Sequence, residues 1–332
     1  MQNILLLGAG FSKNWGAPVA SEFFTALIAD EEVQRNQPML DLLWRNRKNF
    51  EDALAHVQQN YRQNMQTNRE PLLLFLRAML RIFDRMTAIF KKQDFEVWQQ
   101  GLTVDRSRHV VEFLAKFDAI FTLNQDLLLE IHYFDKHHNT STNRRWGSNA
   151  LPGMTPVGQE TEQGRPWSSR IWKPEGDFNI SINVQPYFKL HGSRNWRTSD
   201  NAEDIIIMGG GKDAAIRQFP VLQRYQELFA DYVKRSDTRL TVIGYGFGDG
   251  HINEVLKDAV GSGLKMYVID PRGAAIGYES RPVKEWQIGS GPSELEIWFQ
   301  KGLYSASIIP FRHLLLDESV DREVLADFLS GT

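Results

Sequence analysis

Ile4-Leu5-Leu6-Leu7-Gly8-Ala9-Gly10-Phe11-Ser12 begins almost at the N-terminus, and the reading of the whole chain turns on it. Four aliphatic residues followed directly by Gly-x-Gly predict a buried parallel strand that ends in a tight turn. Glycine suits such a turn because the backbone bends sharply and passes within contact distance of a ligand, where a Cβ would intrude. The amides beyond the turn point outward, and with the Ser12 hydroxyl they suit a phosphate. Alone, the stretch can also be a bare strand-to-loop junction, so its meaning depends on what accompanies it.

Outward from that strand, the bulk properties narrow the class. The 332 residues suffice for one large α/β domain or two modest ones. Hydrophobic residues make up 42% and charged residues 24%, an ordinary globular composition. Lys and Arg number 38 against 41 Asp and Glu, a net charge of −3, so no basic field points to nucleic acid or an anionic membrane. Cysteine is absent. That excludes disulfides, thiolate zinc sites and cysteine nucleophiles, and it fits a reducing, cytoplasmic location. The first residues carry no basic n-region or cleavage site, so no signal peptide is expected. No apolar run approaches the roughly 18 residues that span a bilayer.

After the first strand, Asn14-Trp15-Gly16-Ala17-Pro18 reads as a loop. From about 21 to 113 the spacing predicts helices only: Leu40, Leu43 and Trp44 share one face, as do Leu54 and Val57. Leu72, Phe75, Leu76, Met79, Leu80 and Phe83 recur at steps of three and four behind Pro71. This block is long for a crossover and is expected to be a helical insertion, its aromatics and methionines packing between helices. The α/β pattern resumes at Asp118-Ala119-Ile120-Phe121-Thr122, followed by Leu123-Asn124-Gln125-Asp126. Residues 137–186 hold five prolines with Trp146, Trp167 and Trp172 between them, and read as a loop-rich, packed cover. Strands are then expected at 187–190, leading into His191-Gly192-Ser193, and at 205–208, ending at Gly209-Gly210-Gly211. An amphipathic helix is expected over 221–234. Leu240-Thr241-Val242-Ile243 is the clearest central strand, followed by Gly244-Tyr245-Gly246-Phe247-Gly248-Asp249 and a helix near 252–260. Lys265-Met266-Tyr267-Val268-Ile269 stops at Asp270-Pro271, and the tail closes with a helix around 322–329.

Strand–helix–strand order of this kind predicts an α/β fold: a single domain over 1–332 with a Rossmann-like parallel sheet covered by helices on both faces. Four of its strands end in polar or glycine-rich turns and a fifth ends at Asp270. In such a sheet those carboxyl ends line one crevice, where ligands bind.

Gly8-Ala9-Gly10-Phe11-Ser12, Thr122-Leu123-Asn124-Gln125-Asp126 and His191-Gly192-Ser193 resemble, in order, the three signature blocks of the sirtuins. The family pattern is Gly-Ala-Gly-x-Ser, Thr-Gln-Asn-Ile-Asp and His-Gly; here Leu123 and Gln125 replace Gln and Ile. The run Gly244 to Asn253 is similar to a motif of the divergent sirtuin-like branch of bacterial anti-phage defence proteins. Typical sirtuins carry a four-cysteine zinc module after His-Gly. The residues in that place here, roughly 194–237, contain no cysteine, which puts an acyl-lysine platform in doubt. The defence branch lacks the module too, and its members resemble NAD glycohydrolases.

The resemblance implies a metal-free enzyme with NAD as its substrate, cleaved to nicotinamide and ADP-ribose to starve an infected cell. Asn124 would hold a ribose hydroxyl and a water, and His191 would take a proton. Asp126 would orient the nicotinamide carboxamide, Gly8 to Ser12 the pyrophosphate, and Asp270 the adenosine ribose. Thr122, Gly244, Tyr245, Gly246, Phe247, Asp249 and His251 are the further expected NAD contacts. The resemblance also implies a homo-oligomer, sometimes docked to a separate ATP-driven nucleic-acid translocase; the charge balance and the lack of a long apolar run add the expectation of no direct nucleic-acid site and no membrane partner.

Structural alternatives stand beside each assignment. An Asn at a helix start is often a cap, a lone histidine is often a satisfied core residue, and His251 can simply open its helix. His132, His137 and His138 lack the carboxylate spacing of a metal site and read as a solvated helix end. Gly209-Gly210-Gly211-Lys212 is no Walker loop, and the absence of Gly-x-Ser-x-Gly argues against an α/β-hydrolase. Two other functions remain open: an NAD-dependent protein deacylase, and a non-catalytic module that senses NAD or ADP-ribose.

Overall fold

The computed structural model describes residues 1–47, 49–96, 109–134, 151–157, 166–175, 178–180, 184–200, 203–279 and 292–331. The chain opens with β1 (Gln2–Leu7) and α1 (Ala9–Lys13). Then come α2 (Ala20–Ile28), α3 (Glu31–Gln34), α4 (Gln37–Arg45), α5 (Phe50–Gln63), α6 (Arg69–Lys92) and α7 (Val110–Leu114), ahead of β2 (Ala119–Thr122). The middle holds β3 (Met154–Val157), β4 (Ile171–Pro174), β5 (Tyr187–Lys189), β6 (Gly192–Arg197), β7 (Asp204–Ile206), α8 (Lys212–Ile216) and α9 (Pro220–Val233). The last third runs β8 (Thr238–Ile243), α10 (Gly250–Gly261), β9 (Lys265–Ile269), α11 (Ile276–Glu279), α12 (Glu294–Gly302), β10 (Leu303–Ser307), α13 (Phe311–Leu316) and α14 (Val320–Ser330).

Six strands form the central sheet in the order β10-β9-β8-β1-β2-β5, and every adjacent pair is parallel. Ile4 to Leu7 are fully buried, as a strand covered on both faces requires. From β1 the chain winds outward to β2 and β5; from β8 it winds the opposite way to β9 and β10. Right-handed crossovers in opposite directions place their connections on opposite faces. The winding therefore reverses between β1 and β8, and the carboxyl ends of those two strands flank the crevice. This is the α/β, Rossmann-like parallel sheet expected from the sequence.

Between β1 and β2 the described residues carry helices and no strand. In α6, Leu74, Phe75, Ala78, Met79, Ile82, Phe83, Met86 and Phe90 form the buried stripe, an apolar face at helical period. Phe23 of α2 stacks on Phe50 of α5 with centroids 4.6 Å apart. Two residues placed on apolar faces by spacing, Trp44 and Leu76, are instead exposed. Asn49 caps α5 by accepting from the Glu51 amide, which fixes where that helix begins.

Three features differ from the sequence reading. The segment 137–186 is not only loop: β3 and β4 lie in its described part, and with β6 and β7 they form a second sheet in the order β3-β4-β6-β7. Within it β3/β4 and β6/β7 are antiparallel while β4/β6 are parallel. The strand expected at 205–208 is β7 of this second sheet, shorter and offset by one residue. The tail adds β10 at the edge of the central sheet, an alternation of small and polar residues too weak to read as a strand. Trp146, His137 and His138 lie outside the described residues. No helix among the described residues is long and apolar enough to cross a membrane.

Candidate active site

At the reversal point two glycine loops cross in contact. Gly8 N donates to Ile243 O and Gly10 N to Gly244 O, each at 3.0 Å. A Cβ at Gly10 would lie 2.6 Å from Gly244 Cα; one at Gly244, where φ is +65°, would lie 2.4 Å from the Gly10 backbone. Only paired glycines permit that approach. The cost falls on the expected phosphate cradle, because the Gly8, Gly10 and Phe11 amides already donate to protein carbonyls. The Phe11 ring turns into the core, 5.0 Å from Trp15 and 5.4 Å from Phe311. Phe247, at φ +53°, likewise packs edge-on to Phe299 in the core at 5.1 Å. Neither side chain faces the crevice.

Beside the crossing lies a cavity of about 360 Å³, within the range of small-molecule sites. Gly8, Ala9, Ser12, Asn124, Asp126, His191, Gly244, Tyr245, Gly246 and Asp249 all line it. The Asn124 amide nitrogen donates to Gly8 O at 2.9 Å and to Ser12 Oγ at 3.1 Å, so its Oδ1 is the atom left for a ligand. Thr122 does not line the cavity; its Oγ1 donates to Leu7 O and accepts from Asn124 N, which sets the Asn124 backbone. Asp126 accepts from Leu128 N and from the Ser12 hydroxyl. Burial pushes its carboxyl up, against the pull of the nearby Lys189 ammonium.

His191 leaves the end of β5 and is 2% exposed. Gly192 behind it has φ +76°, and a Cβ there would fall 2.0 Å from Ile205 O, so β7 can cross only above a glycine. Burial drops the His191 imidazole to about 3, the Asp249 carboxylate opposing and the Lys212 ammonium assisting. His191 Nε2 sits 3.0 Å from His251 Nε2, although His251 itself does not line the cavity. Asp249 is bound by Lys212 Nζ at 2.6 Å, and Lys212 also reaches Glu51 at 2.9 Å. Burial alone would raise the Asp249 carboxyl, but the His191 imidazole and the Lys212 ammonium beside it outweigh that and hold it low. Ligand atoms of His191, Asp249 and His251 lie within 4.8 Å of one another, but the Lys212 ammonium occupies the Asp249 carboxylate at 2.6 Å, so the cluster is an ion-paired histidine couple rather than a free set of metal ligands.

A second cavity, about 860 Å³, adjoins the first and shares Ala9, Ala20, Gly244 and Gly246 with it. Asp270 lines it, at the end of β9, where its Oδ1 accepts from Arg272 N and Nε at 3.0 Å. The two cavities thus meet over the glycine crossing.

Sequence reasoning set aside Lys212, which reaches the site because Gly209 and Gly210 let α5 pack closely. A Cβ at Gly210 would lie 2.7 Å from the Ala55 Cβ, and one at Gly209 would lie 2.8 Å from Gln58 Oε1. Asn49, Phe50 and Glu51, from the helical block, also line the first cavity and carried no signal of their own. His132 is no solvated helix end. It is buried in a π-helical turn (Glu130–Phe134), stacked on Phe95, with Nε2 2.7 Å from Phe90 O.

A family model described as "SIR2-like domain" matches residues 118–288, just over half of the chain. No curated protein matches the sequence significantly. A solved structure described as "Structural Basis for the Mechanism and Regulation of Sir2 Enzymes" is similar at 12% identity with a TM-score of 0.38, covering 99% of this chain and 90% of that one.

Proposed function

The chain belongs to the SIR2-like domain family, and we propose that it is an NAD hydrolase that cleaves NAD to nicotinamide and ADP-ribose. The observation that carries this reading is that Asn124 and His191, from the ends of two different strands, line one cavity. That cavity continues over the glycine crossing into the one holding Asp270, which suits a ligand with two nucleoside ends. In this reading the nicotinamide riboside lies beside Asn124 and His191, and the adenosine ribose beside Asp270. Gly246 and Ala9, which line both cavities, would then flank the bridging pyrophosphate.

Breaking the nicotinamide–ribose bond builds oxocarbenium character at the ribose carbon. Asn124 Oδ1 accepts from a ribose hydroxyl or the attacking water, while its anchored amide nitrogen keeps the side chain from swinging. Nε2 of His191 is engaged with His251, so Nδ1 is the nitrogen available to accept a proton. Asp126, at the cavity wall, is positioned to meet the carboxamide. Water as the acceptor fits a chain with no cysteines for the four-cysteine zinc module that helps other members form an acyl-lysine cleft.

An enzyme that drains NAD would be lethal if always active. The reading therefore extends to a regulated effector of anti-phage defence, working as a homo-oligomer with a separate partner such as an ATP-driven translocase. Purified protein incubated with NAD, with and without an acylated peptide, tests the chemistry. Loss of NAD with equal release of nicotinamide and ADP-ribose is expected without peptide. A strict peptide requirement would make the protein a deacylase, and binding without turnover would make it a sensor.

A further inference from the structure

Behind His191 lies a second imidazole with no role in the reaction just described. His191 Nε2 and His251 Nε2 are 3.0 Å apart. The other nitrogen of His251, Nδ1, lies 3.5 Å from Asp213 Oδ1. Exposure rises along the series: His191 is 2% exposed, the His251 side chain 14% and that of Asp213 59%. The three groups lead from the cavity wall to solvent.

One proton arrangement fits both contacts of the series. His251 Nδ1–H faces the Asp213 carboxylate, His251 Nε2 accepts from His191 Nε2–H, and His191 Nδ1 keeps its lone pair. That tautomer leaves His191, which lines the cavity, with a basic Nδ1. A buried imidazole cannot keep a proton it accepts without an uncompensated charge, so the proton needs an exit.

We propose that His251 is the positioning residue and proton relay of His191, a role that rests on the hydrolase reading above. A proton from the attacking water or a ribose hydroxyl goes to His191 Nδ1. The Nε2 proton of His191 passes to His251 Nε2, and the Nδ1 proton of His251 leaves to Asp213 or bulk water. The reverse shift, with a proton taken up at His251 Nδ1 and one released at His191 Nδ1, resets both rings after product departs. Asp249, near both imidazoles, favours transient positive charge there, whereas Lys212 opposes it and Glu51 offsets Lys212. The first turn of α10, where His251 sits, disfavours a lasting cation and so promotes onward release.

The full chain with His251→Gln or His251→Ala tests this. Gln keeps a polar contact but cannot relay, so kcat for NAD hydrolysis should fall about 10- to 100-fold, less than the roughly 10²–10⁴-fold that a positioned general base itself supplies. KM should stay within about threefold, melting curves should match wild type, and added imidazole should restore part of the His251→Ala rate. Nitrogen-15 NMR of the wild-type imidazoles, which needs no NAD turnover, should show one protonated and one bare nitrogen on each ring, with coupling across Nε2–H···Nε2. Unchanged kcat in His251→Gln, or two unprotonated Nε2 atoms, would overturn the relay. Wild-type protein that shows the coupling yet leaves NAD intact would instead overturn the hydrolase reading.

Discussion

Asn124 and His191 carry the chemistry through what their other atoms are doing. The Asn124 nitrogen is committed to Gly8 O and Ser12 Oγ, so the side chain is held before any ligand arrives. Asn124→Ala should lower NAD turnover by about 10²–10³-fold, the scale on which a preorganised polar contact is lost, with little change in melting temperature; product chromatography and a thermal melt read both. His191 sets a pH dependence of stability. Its folded pKa, about 3, lies below the unfolded value of 6.5, so between those values the unfolded chain binds the extra proton. The contribution is therefore fully present above pH 6.5 and lost as pH falls toward 3, at up to about 1.4 kcal/mol per pH unit. Denaturant titrations from pH 6.5 down to 5, above most carboxylate titration, should show this slope in wild type and a flatter one in His191→Gln. Equal slopes would mean that His191 is not the buried neutral group described.

The elements around the site explain why those residues meet. Gly192 must carry φ +76° with Ile205 O against it, so Gly192→Ala should cost about 1–3 kcal/mol and disturb His191 next door; a lower melting temperature together with lost turnover is expected. The central strands β1, β2, β8 and β9 were legible because strands buried on both faces are written as near-continuous apolar stretches, whatever their length. The second sheet was not, since β3 and β4 are four residues each, and both contain a proline. Within the glycine loops the residue types were legible but their directions were not. Phe11 and Phe247 sit among ligand-facing neighbours yet point into the core, which only the crossing of the two loops decides. Lys212 was visible as Gly-Gly-Gly-Lys, but the sequence offers no sign that its ammonium would meet Asp249 from one side and Glu51 from the other.

Across the whole molecule, the reversal of winding between β1 and β8 places both cavities, and the helices before β2 close one of them. Glu51, at the start of α5, reaches Lys212, which in turn holds Asp249, so the helical block is tied to the site by a mostly buried ion triad. Lys212→Met would strand two carboxylates, and a loss of about 1–3 kcal/mol in denaturant unfolding is expected. The proposed oligomer is read by light scattering of the purified chain, where a single mass of one protomer would contradict it. The central claim is tested most directly by chromatography of NAD and its products over time, wild type against His191→Ala. The account predicts nicotinamide and ADP-ribose in equal amounts from wild type and a loss of about 10²–10⁴-fold in the variant. NAD consumed at the same rate by both proteins would contradict it.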